Sequence, residues 1–205
     1  MLQKALFMTI LLCMLLTGCK GRTLSSQEVL SRMGDADTYT SESIMKVQNN
    51  KSVFTYNLKQ YYKRQDKYRV EFYDDTDCIM QTIIYNGNKC GVFHTSISKP
   101  FISDNFIGTK EHSSFLSAFI ANYKKDEKAE EVMDKSEGND YYIFTCKLDN
   151  QNSYFKKSIL KVDAKNAVPK LLTILGENDN KTIEISYANF SYNVPIDDLL
   201  FNLEY

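Results

Sequence analysis

The cysteine with the clearest chemical setting is Cys19, which ends the run Leu16-Thr17-Gly18-Cys19. Lys4 is the only charge before it, and residues 5–16 are almost wholly apolar, which is the layout of a secretory signal peptide. The apolar run is shorter than the roughly 20 residues that a membrane-spanning helix needs. Small residues that lead into a cysteine are typical of a lipobox. We therefore expect signal cleavage between Gly18 and Cys19, with a diacylglyceryl group on the Cys19 thiol.

Two weaker interpretations of this segment stay open. Cys19 can be a chance residue of an ordinary secretory signal, and Cys13 is a second cysteine within the apolar run. Cys13 lacks the Leu-x-Gly lead-in and is more typical of a small apolar residue. Two acyl chains anchor a protein stably, since each buried methylene contributes ~0.8 kcal/mol. Lipidation at Cys19 thus predicts an exported, membrane-anchored protein.

Three further cysteines lie in the body of the chain. Cys78, Cys90 and Cys146 fall within or beside strand-like apolar runs, where cysteine usually serves as a small core residue. We favour three buried free thiols over one disulfide with one free thiol. A zinc site is disfavoured, because none of the three has a second cysteine or a histidine at ligand spacing.

The remaining candidates for catalysis or metal binding are few. His94 and His112 are predicted in a strand and just before a helix, and a lone histidine is more often packed or surface-exposed than a base. The carboxylates of Asp74, Asp75 and Asp77 crowd into one turn that could hold calcium, but the glycine and distal glutamate of an EF-hand loop are missing, which favours a solvated turn. Nucleophile-elbow, phosphate-loop and His-Glu-x-x-His motifs are absent. The sequence predicts no catalytic residue, metal or cofactor.

Composition limits the class of protein. The chain has 205 residues and a formal net charge of −1, which supplies no positive field for nucleic acid. Its 14 tyrosines and 12 phenylalanines favour β-sheet. We expect a signal peptide over residues 1–18, a lipidated N-terminus and tether over 19–25, and a single domain over 26–205.

Two segments have helical patterns. Ser25 and Glu28 match a capping box, which predicts a short helix from about Ser26 to Met33. Ser113 or Ser114 is a candidate cap for a second helix. The apolar stripe of this second helix consists of Phe115, Leu116, Phe119, Ile120 and Tyr123. We expect a solvated helix end or loop over the mixed-charge residues 124–131.

The rest of the chain alternates with a period of two, which is typical of half-buried strands. Asn86-Gly87-Asn88 predicts a hairpin between residues 79–85 and 89–95, and residues 163–166 predict another between 154–162 and 168–175. We count about ten antiparallel strands and two or three helices, with a closing helical turn near 195–201. A sheet of this size twists and curls. The predicted fold is α+β, mainly β: a half-open barrel with the helices covering or filling its concave face.

The loop over residues 98–111 has turn composition but carries Phe101, Ile102, Phe106 and Ile107. The favoured interpretation is a loop that folds over a sheet edge and tucks these side chains into the core. The alternative is a lid or a partner-binding loop, because long loops with anchored aromatic residues are often functional.

Several features occur together in this chain: the lipobox, the short helix, the strand meander, the mid-chain helix, the hairpin over residues 162–169 and the closing segments 187–190 and 197–201. In this combination the chain resembles the LolA/LolB-like lipoprotein superfamily. Within it the chain is most similar to the GerS-like spore-germination lipoproteins. The resemblance covers the chain after the signal peptide and implies a half-open β-barrel closed by helices.

For the germination lipoproteins the resemblance implies a non-enzymatic partner that binds and activates a zinc-dependent N-acetylmuramoyl-L-alanine amidase. That amidase helps to form muramic-δ-lactam in cortex peptidoglycan, which implies a location on the forespore or spore membranes facing the cortex. For the carriers of the superfamily, the resemblance implies an acyl ligand in the apolar barrel interior. No residue role can be transferred from either group, because the functional surface is not a local motif.

Two hypotheses of function follow. The first is a membrane-tethered protein-binding module that uses a sheet edge or the loop carrying Phe101, Ile102, Phe106 and Ile107. The second is a carrier or sensor of a lipid, and the abundance of large side chains favours the first. Unpaired strand edges also raise the hypothesis of a homodimer formed by strand pairing or exchange.

Overall fold

The computed structural model describes residues 22–49, 51–136, 138–148 and 152–204. Cys13, Gly18 and Cys19 lie outside the described residues, and with them the predicted signal peptide and lipidation site. Within these ranges the protein contains one antiparallel sheet of eleven strands in the order β6-β5-β4-β3-β2-β1-β11-β10-β9-β8-β7. The strands are β1 Thr38–Gln48, β2 Val53–Lys63, β3 Lys67–Tyr73, β4 Ile79–Asn86, β5 Cys90–His94, β6 Phe101–Ser103, β7 Glu130–Ser136, β8 Asn139–Lys147, β9 Lys157–Asp163, β10 Pro169–Leu175 and β11 Lys181–Tyr192.

The first and last strands meet at the centre of this sheet. β1 pairs with β11 from Tyr39 opposite Tyr192 to Val47 opposite Ile183. One meander, β1 to β6, extends to one side of this central pairing, and β7 to β11 extends to the other. The sheet remains open, so that β6 and β7 are its two edges.

The predicted hairpins are present, and their turns have local causes. Gly87 adopts φ +95°, a conformation that glycine reaches without strain. The Asn86 side chain accepts backbone hydrogen bonds from Asn88 at 3.0 Å and from Lys89 at 2.9 Å. The turn is therefore held by its own asparagine, as the Asn-Gly pair predicts. One strand boundary differs from the prediction: β9 begins at Lys157, so Tyr154 lies in the preceding loop.

Three α-helices occur among the described residues: α1 Ser26–Gly34, α2 Lys110–Ser113 and α3 Leu116–Lys125. The capping box at α1 is confirmed, with both the Ser25 and the Glu28 side chains bonded to backbone N–H groups. The predicted cap of the second helix is wrong. Thr109 caps α2. α3 begins at Leu116, and its N-cap residue Phe115 makes no side-chain cap bond, because the helix is interrupted at Ser114 and Phe115 instead of starting from Ser113 or Ser114.

The helices cover the concave face of the sheet, as predicted. The predicted stripe on α3 is buried except for Tyr123, which packs at the margin of the core. Val29 and Met33 of α1 belong to the same core as Val70, Phe144 and Leu172 of the sheet. The fold is thus mainly β: a half-open barrel with helices on its concave face.

A buried polar network fixes the junction between α2 and α3 on the sheet. The Gln60 amide donates to Ser114 Oγ at 2.8 Å, and the Tyr187 hydroxyl donates to the Ser114 carbonyl at 2.8 Å. Ser41 Oγ donates to Gln60 Oε1 at 3.1 Å, and the Leu116 N–H donates to the Tyr39 hydroxyl at 2.9 Å. Each polar group is satisfied, so the network holds the helix start in one position.

The C-terminal residues 194–204, which we call the C-terminal strap, pack on the β2–β5 part of the convex face. Phe201 packs on Ile84 and Phe93, and the carboxylate of Asp198 lies 2.7 Å from Lys67 Nζ. The strap contains a 3-10 turn at Asp198–Phe201, in agreement with the predicted closing helical turn.

The cysteine prediction holds in two of three cases. Cys90 and Cys146 are buried free thiols, and burial raises their pKa values to about 11 and about 12. Cys78 is also free, but it is exposed. It lies in the turn between β3 and β4, one residue before the pairing resumes, so the adjacent apolar run does not bury it.

Candidate functional site

The candidate binding loop splits into one buried and three exposed side chains. Phe106 is only 2% exposed, whereas Phe101, Ile102 and Ile107 are 67%, 43% and 60% exposed. The favoured expectation that all four tuck into the core is therefore wrong for three of them. Phe101 and Ile102 form the short edge strand β6, and Ile107 follows Phe106 in the loop to α2.

Phe106 anchors the loop in an aromatic cluster. Its ring stacks on Tyr85 at a centroid distance of 5.2 Å and contacts Tyr68 at 5.3 Å. His112 packs edge-on against Phe106 at 5.5 Å, and its Nδ1 accepts the Gly108 N–H at 3.3 Å. The loop thus has a fixed base on α2 and β3, and it presents Ile107 outward.

The buried setting of His112 changes its acidity. Burial lowers the pKa of the imidazole to about 4, against a smaller opposing effect of the Asp66 carboxylate. The histidine is therefore neutral near pH 7, which is the form whose Nδ1 can accept the Gly108 hydrogen bond.

A groove that the sequence did not predict lies beside β6 on the β4–β5 hairpin. It has a volume of about 260 Å³. Its apolar lining consists of Ile79, Met80, Phe93, Ile97 and Pro100. Ile79, Met80 and Ile97 are exposed large apolar side chains. The sequence signal was the consecutive Ile79-Met80 pair at the start of a strand, which breaks the alternation that a half-buried strand shows.

We use the name β6 corner for the exposed residues Phe101, Ile102 and Ile107 together with this groove; Ile107 also lines a cleft at the mouth of the half-barrel. Large exposed apolar surfaces are uncommon on soluble proteins and mark sites of interaction. The corner offers no catalytic arrangement: His94 lies at its margin, where its Nδ1 accepts the Ser96 N–H at 3.1 Å. It is suited to binding.

A second concave feature opens at the mouth of the half-barrel, between α1, α3 and the β2–β3 turn. Its volume is about 660 Å³, and its walls mix apolar residues such as Met33 and Ile120 with polar groups such as Asp66, Ser117 and Lys124. The interior behind it is filled, since Phe115, Leu116 and the other stripe residues are buried. The space for a ligand therefore lies at the mouth of the barrel.

The remaining residues that the sequence offered as metal ligands do not form a site with one another. The Asp74 carboxylate accepts the Thr76 hydroxyl and the Cys78 and Thr76 N–H groups and closes its own turn, and these bonds, the hydroxyl bond most, lower its pKa. No three histidine, cysteine, aspartate or glutamate side chains converge as metal ligands anywhere in the described ranges.

The N-terminal segment is fixed to the domain before α1 begins. The Leu24 N–H donates to the Ala164 carbonyl at 2.8 Å, and the Tyr142 hydroxyl donates to the Leu24 carbonyl at 3.0 Å. Only two residues separate Cys19 from Arg22, where the described structure starts.

Among the helices of the described residues, none combines the length and apolarity needed to cross a membrane.

A family model for YdcC-like sporulation proteins matches residues 2–201. The chain belongs to this family. No curated protein sequence is significantly similar to this YdcC-like chain.

Solved structures share the fold. An uncharacterised conserved protein from Thermus thermophilus has a TM-score of 0.56 and 10% identity, over 87% of this chain and 94% of that one. A LolA superfamily protein from Nitrosomonas europaea has a TM-score of 0.46 and 14% identity, over 87% and 98%. The structure of the Clostridioides difficile CwlD amidase in complex with the GerS lipoprotein matches at a TM-score of 0.49 and 26% identity, over 84% and 98%. The structural neighbours of the chain thus include a LolA superfamily protein and the GerS lipoprotein.

Proposed function

We propose that this YdcC-like chain is a non-enzymatic, membrane-anchored lipoprotein needed for spore germination. It binds and activates a cortex N-acetylmuramoyl-L-alanine amidase for muramic-δ-lactam formation. The zinc belongs to the amidase, and the lipoprotein contributes the binding surface. Its location is the forespore or spore membrane that faces the cortex.

The observation that carries the proposal is the β6 corner. Three large apolar side chains are exposed on a loop whose base is held by buried Phe106, so the surface is preformed. Preformed apolar surfaces bind with little loss of conformational entropy. Membership of a sporulation family supports the biological setting. The partner class is extended from GerS, which was solved in complex with the CwlD amidase.

The test is co-purification of the tagged lipoprotein with candidate amidases of the same organism, followed by an activity assay on cortex peptidoglycan. We expect a stable complex and a faster release of the amidase product when the lipoprotein is present. Absence of both binding and stimulation would overturn the proposal.

Matched variants locate the surface. Phe101→Glu with Ile102→Glu introduces two charges into the β6 corner and should weaken the complex at least tenfold, because desolvating an unpaired carboxylate is costly. Val132→Glu with Met133→Glu changes two exposed apolar residues of β7 at the opposite edge and should leave binding unchanged. Equal effects of the two pairs would remove the corner from the interface.

The membrane anchor is a separate part of the proposal. We expect signal cleavage after Gly18 and lipidation of Cys19, and confinement to a membrane raises the effective concentration of a weakly binding partner. Cys19→Ala should abolish lipid labelling and release the protein from membranes without changing its fold. A Cys19→Ala protein that still carries lipid would contradict this assignment.

The homodimer remains a proposal that concerns the same open sheet. Two copies can associate by strand pairing or exchange, because β6 and β7 each have one unpaired side. Light scattering of the purified protein at high concentration should give twice the chain mass. A monomer mass would exclude the dimer.

The alternative function is a carrier or sensor of a lipid or acyl ligand, and the specific observation in its favour is the cleft of about 660 Å³ at the barrel mouth. Native mass spectrometry separates it from the main proposal. A bound lipid would add mass to the purified protein, whereas a pure partner-binding module would show the chain mass and its covalent modifications alone.

A further inference from the structure

A third cleft lies far along the strands from the loop that Phe106 anchors, where three turns meet at one end of the sheet. The turns join β1 to β2, β8 to β9 and β10 to β11. The cleft has a volume of about 450 Å³, within the range of small-molecule sites. Its lining is mostly polar and includes Gln48, Asn49, Tyr154, Asn178 and Asn180. A polar lining excludes a preference for acyl chains.

Close contacts join the β8–β9 and β10–β11 turns along one wall of this cleft. The Glu177 N–H donates to the Ser153 carbonyl at 2.8 Å, and Thr182 Oγ1 donates to the Tyr154 carbonyl at 2.8 Å. A Cβ on Gly176 would lie 2.8 Å from the Ser153 carbonyl oxygen, so only glycine allows the two turns to pack this closely. This wall of the cleft is therefore formed without a ligand, which reduces the entropy lost on binding.

Several polar side chains in the cleft are unused by the fold. Within the described part of the chain, the side-chain amides of Gln48, Asn178 and Asn180 have no hydrogen-bond partner, although these residues line the cleft. Each amide carries a donor and an acceptor side by side. Two neighbouring hydroxyl groups of a sugar ring offer the same pairing, because each hydroxyl both donates and accepts.

An aromatic ring completes the set. Tyr154 is 46% exposed although its backbone is fixed by the Thr182 contact. The face of an aromatic ring is electron-rich and attracts the weakly positive C–H groups of a sugar ring. An exposed ring next to free amides is thus suited to a ligand with one apolar C–H face and a hydroxylated rim.

The charges around the cleft are largely paired. Lys157 Nζ lies 2.6 Å from the Asp179 carboxylate, and Lys181 pairs with Glu184. Glu177 remains as an acceptor for hydroxyl groups. Since the described residues around the cleft carry no cluster of like charge, a neutral ligand fits it better than a phosphate or a polyamine.

We propose that this cleft, formed by Tyr154 with the amides of Gln48, Asn178 and Asn180, binds a neutral saccharide. The site is independent of the β6 corner. The protein would thus hold a glycan at one end of the sheet and a protein partner at one edge.

The proposal is tested with the full-length protein, purified in a detergent without a sugar headgroup so that the detergent cannot occupy the cleft. Saturation-transfer NMR and isothermal titration with the neutral tetrasaccharides of glucose and of N-acetylglucosamine give the binding constants. We expect at least one of the two to bind, with transfer strongest to the C–H face of one ring.

Three variants distinguish a built site from surface adsorption. Tyr154→Ala and Asn178→Gly should each weaken binding at least tenfold, and Asn178→Gly keeps the backbone relaxed because Asn178 has φ +61°. Tyr154→Phe should bind within threefold of the natural protein, since the ring face remains. Circular dichroism checks that each variant is folded.

Two results would overturn the proposal. One is the absence of binding of both tetrasaccharides to the folded protein. The other is binding that Tyr154→Ala and Asn178→Gly leave unchanged, which would place the saccharide elsewhere. Leu199→Ala, an exposed apolar change on the C-terminal strap, serves as the control that should have no effect.

Discussion

The two edges of the open sheet are protected in different ways. β7 is seven residues long and exposes Val132 and Met133, but four of its residues are charged: Glu130, Glu131, Asp134 and Lys135. Ser26 binds Glu131 at 2.8 Å, and Lys161 binds Asp134 at 2.8 Å. β6 is three residues long, without any charged residue, and exposes Phe101 and Ile102.

The two edges therefore differ in how strongly they must be protected from pairing with strands of other molecules. A long unpaired edge attracts other strands, and charged side chains prevent such pairing. A three-residue edge offers few backbone hydrogen bonds, so it needs less protection and can retain apolar side chains. Under the proposed function the β6 corner is the edge that binds the partner, while charged side chains guard β7.

The largest expected difference in stability is between substitution of the buried anchor Phe106 and substitution of the exposed Phe101. Phe106→Ala removes a ring that is buried against Tyr68 and Tyr85 and should lower the free energy of unfolding by about 3–5 kcal/mol. Phe101→Ala removes an exposed ring and should change it by less than ~0.5 kcal/mol. Urea denaturation measures both, and equal values would mean that Phe106 does not anchor the corner.

Acid should loosen the β6 corner before the β7 edge. The pKa of His112 is about 4 in the folded protein, below the value of about 6.5 for a free histidine, so stability is complete above pH 6.5 and falls as pH decreases toward 4. The loss is at most about 3 kcal/mol. Asp134, whose pKa is lowered mainly by its hydrogen bond to Lys161, keeps its contribution until the pH falls below its ordinary range near 3.8.

Hydrogen exchange at pH 7, 5 and 3.5 compares these two regions directly. Residues 104–112 should lose protection between pH 6.5 and 4, while β7 stays protected. His112→Phe removes the titrating group and should flatten the pH dependence of the loop. Simultaneous loss of protection at both edges would contradict the assignment to His112.

A smaller effect is expected where the C-terminal strap crosses β5. Leu203 lies over Gly91, and a Cβ there would be 2.8 Å from Leu203 and from the Phe93 ring. Gly91→Val should push the strap away and lower stability by roughly 1–3 kcal/mol, as overpacking does. Thermal unfolding gives the value. Gly108→Ala cannot serve as a control because of its positive φ, but Ser98→Ala on the adjacent exposed loop can.

The smallest change in stability should come from the guarded edge. Glu131→Val combined with Lys135→Val removes two charges from β7 and should alter the unfolding free energy by less than ~1 kcal/mol. The same variant should self-associate more strongly, because the long edge is no longer protected. Light scattering against concentration measures this, and an unchanged mass would show that these charges do not guard the edge.

Local patterns in the sequence were sufficient for much of this architecture. The Asn86-Gly87 turn, the Ser25–Glu28 capping box and the apolar stripe on α3 each depend on residues close in sequence, and all three are confirmed. The sequence did not allow a prediction of which apolar side chains in the 98–111 loop are buried and which are exposed. Phe106 is buried and Ile107 exposed because of the position of Tyr85 and His112, which long-range packing decides.

The same reason explains the missed features of the candidate site. The groove of the β6 corner needs the β4–β5 hairpin, the loop after β5 and Pro100 to meet, and composition does not contain that information. Cys78 shows the opposite case, since an apolar neighbourhood in sequence did not bring burial in the fold. Edges of a sheet are likewise defined only by which strands lack a second partner.

The central pairing of β1 with β11 has a consequence for how the chain folds. Ser43 pairs with Tyr187, across more than two thirds of the chain, whereas most other strand pairs join neighbours in sequence. Local hairpins form quickly, and closing a long loop is slow because its entropy is lost before contacts form. Each meander should therefore assemble as its own unit, and the joining of the two should limit the folding rate. A chain that ends before residue 181 would leave β1 with an eleven-residue open edge, so a nascent chain depends on its last strand to become resistant to aggregation.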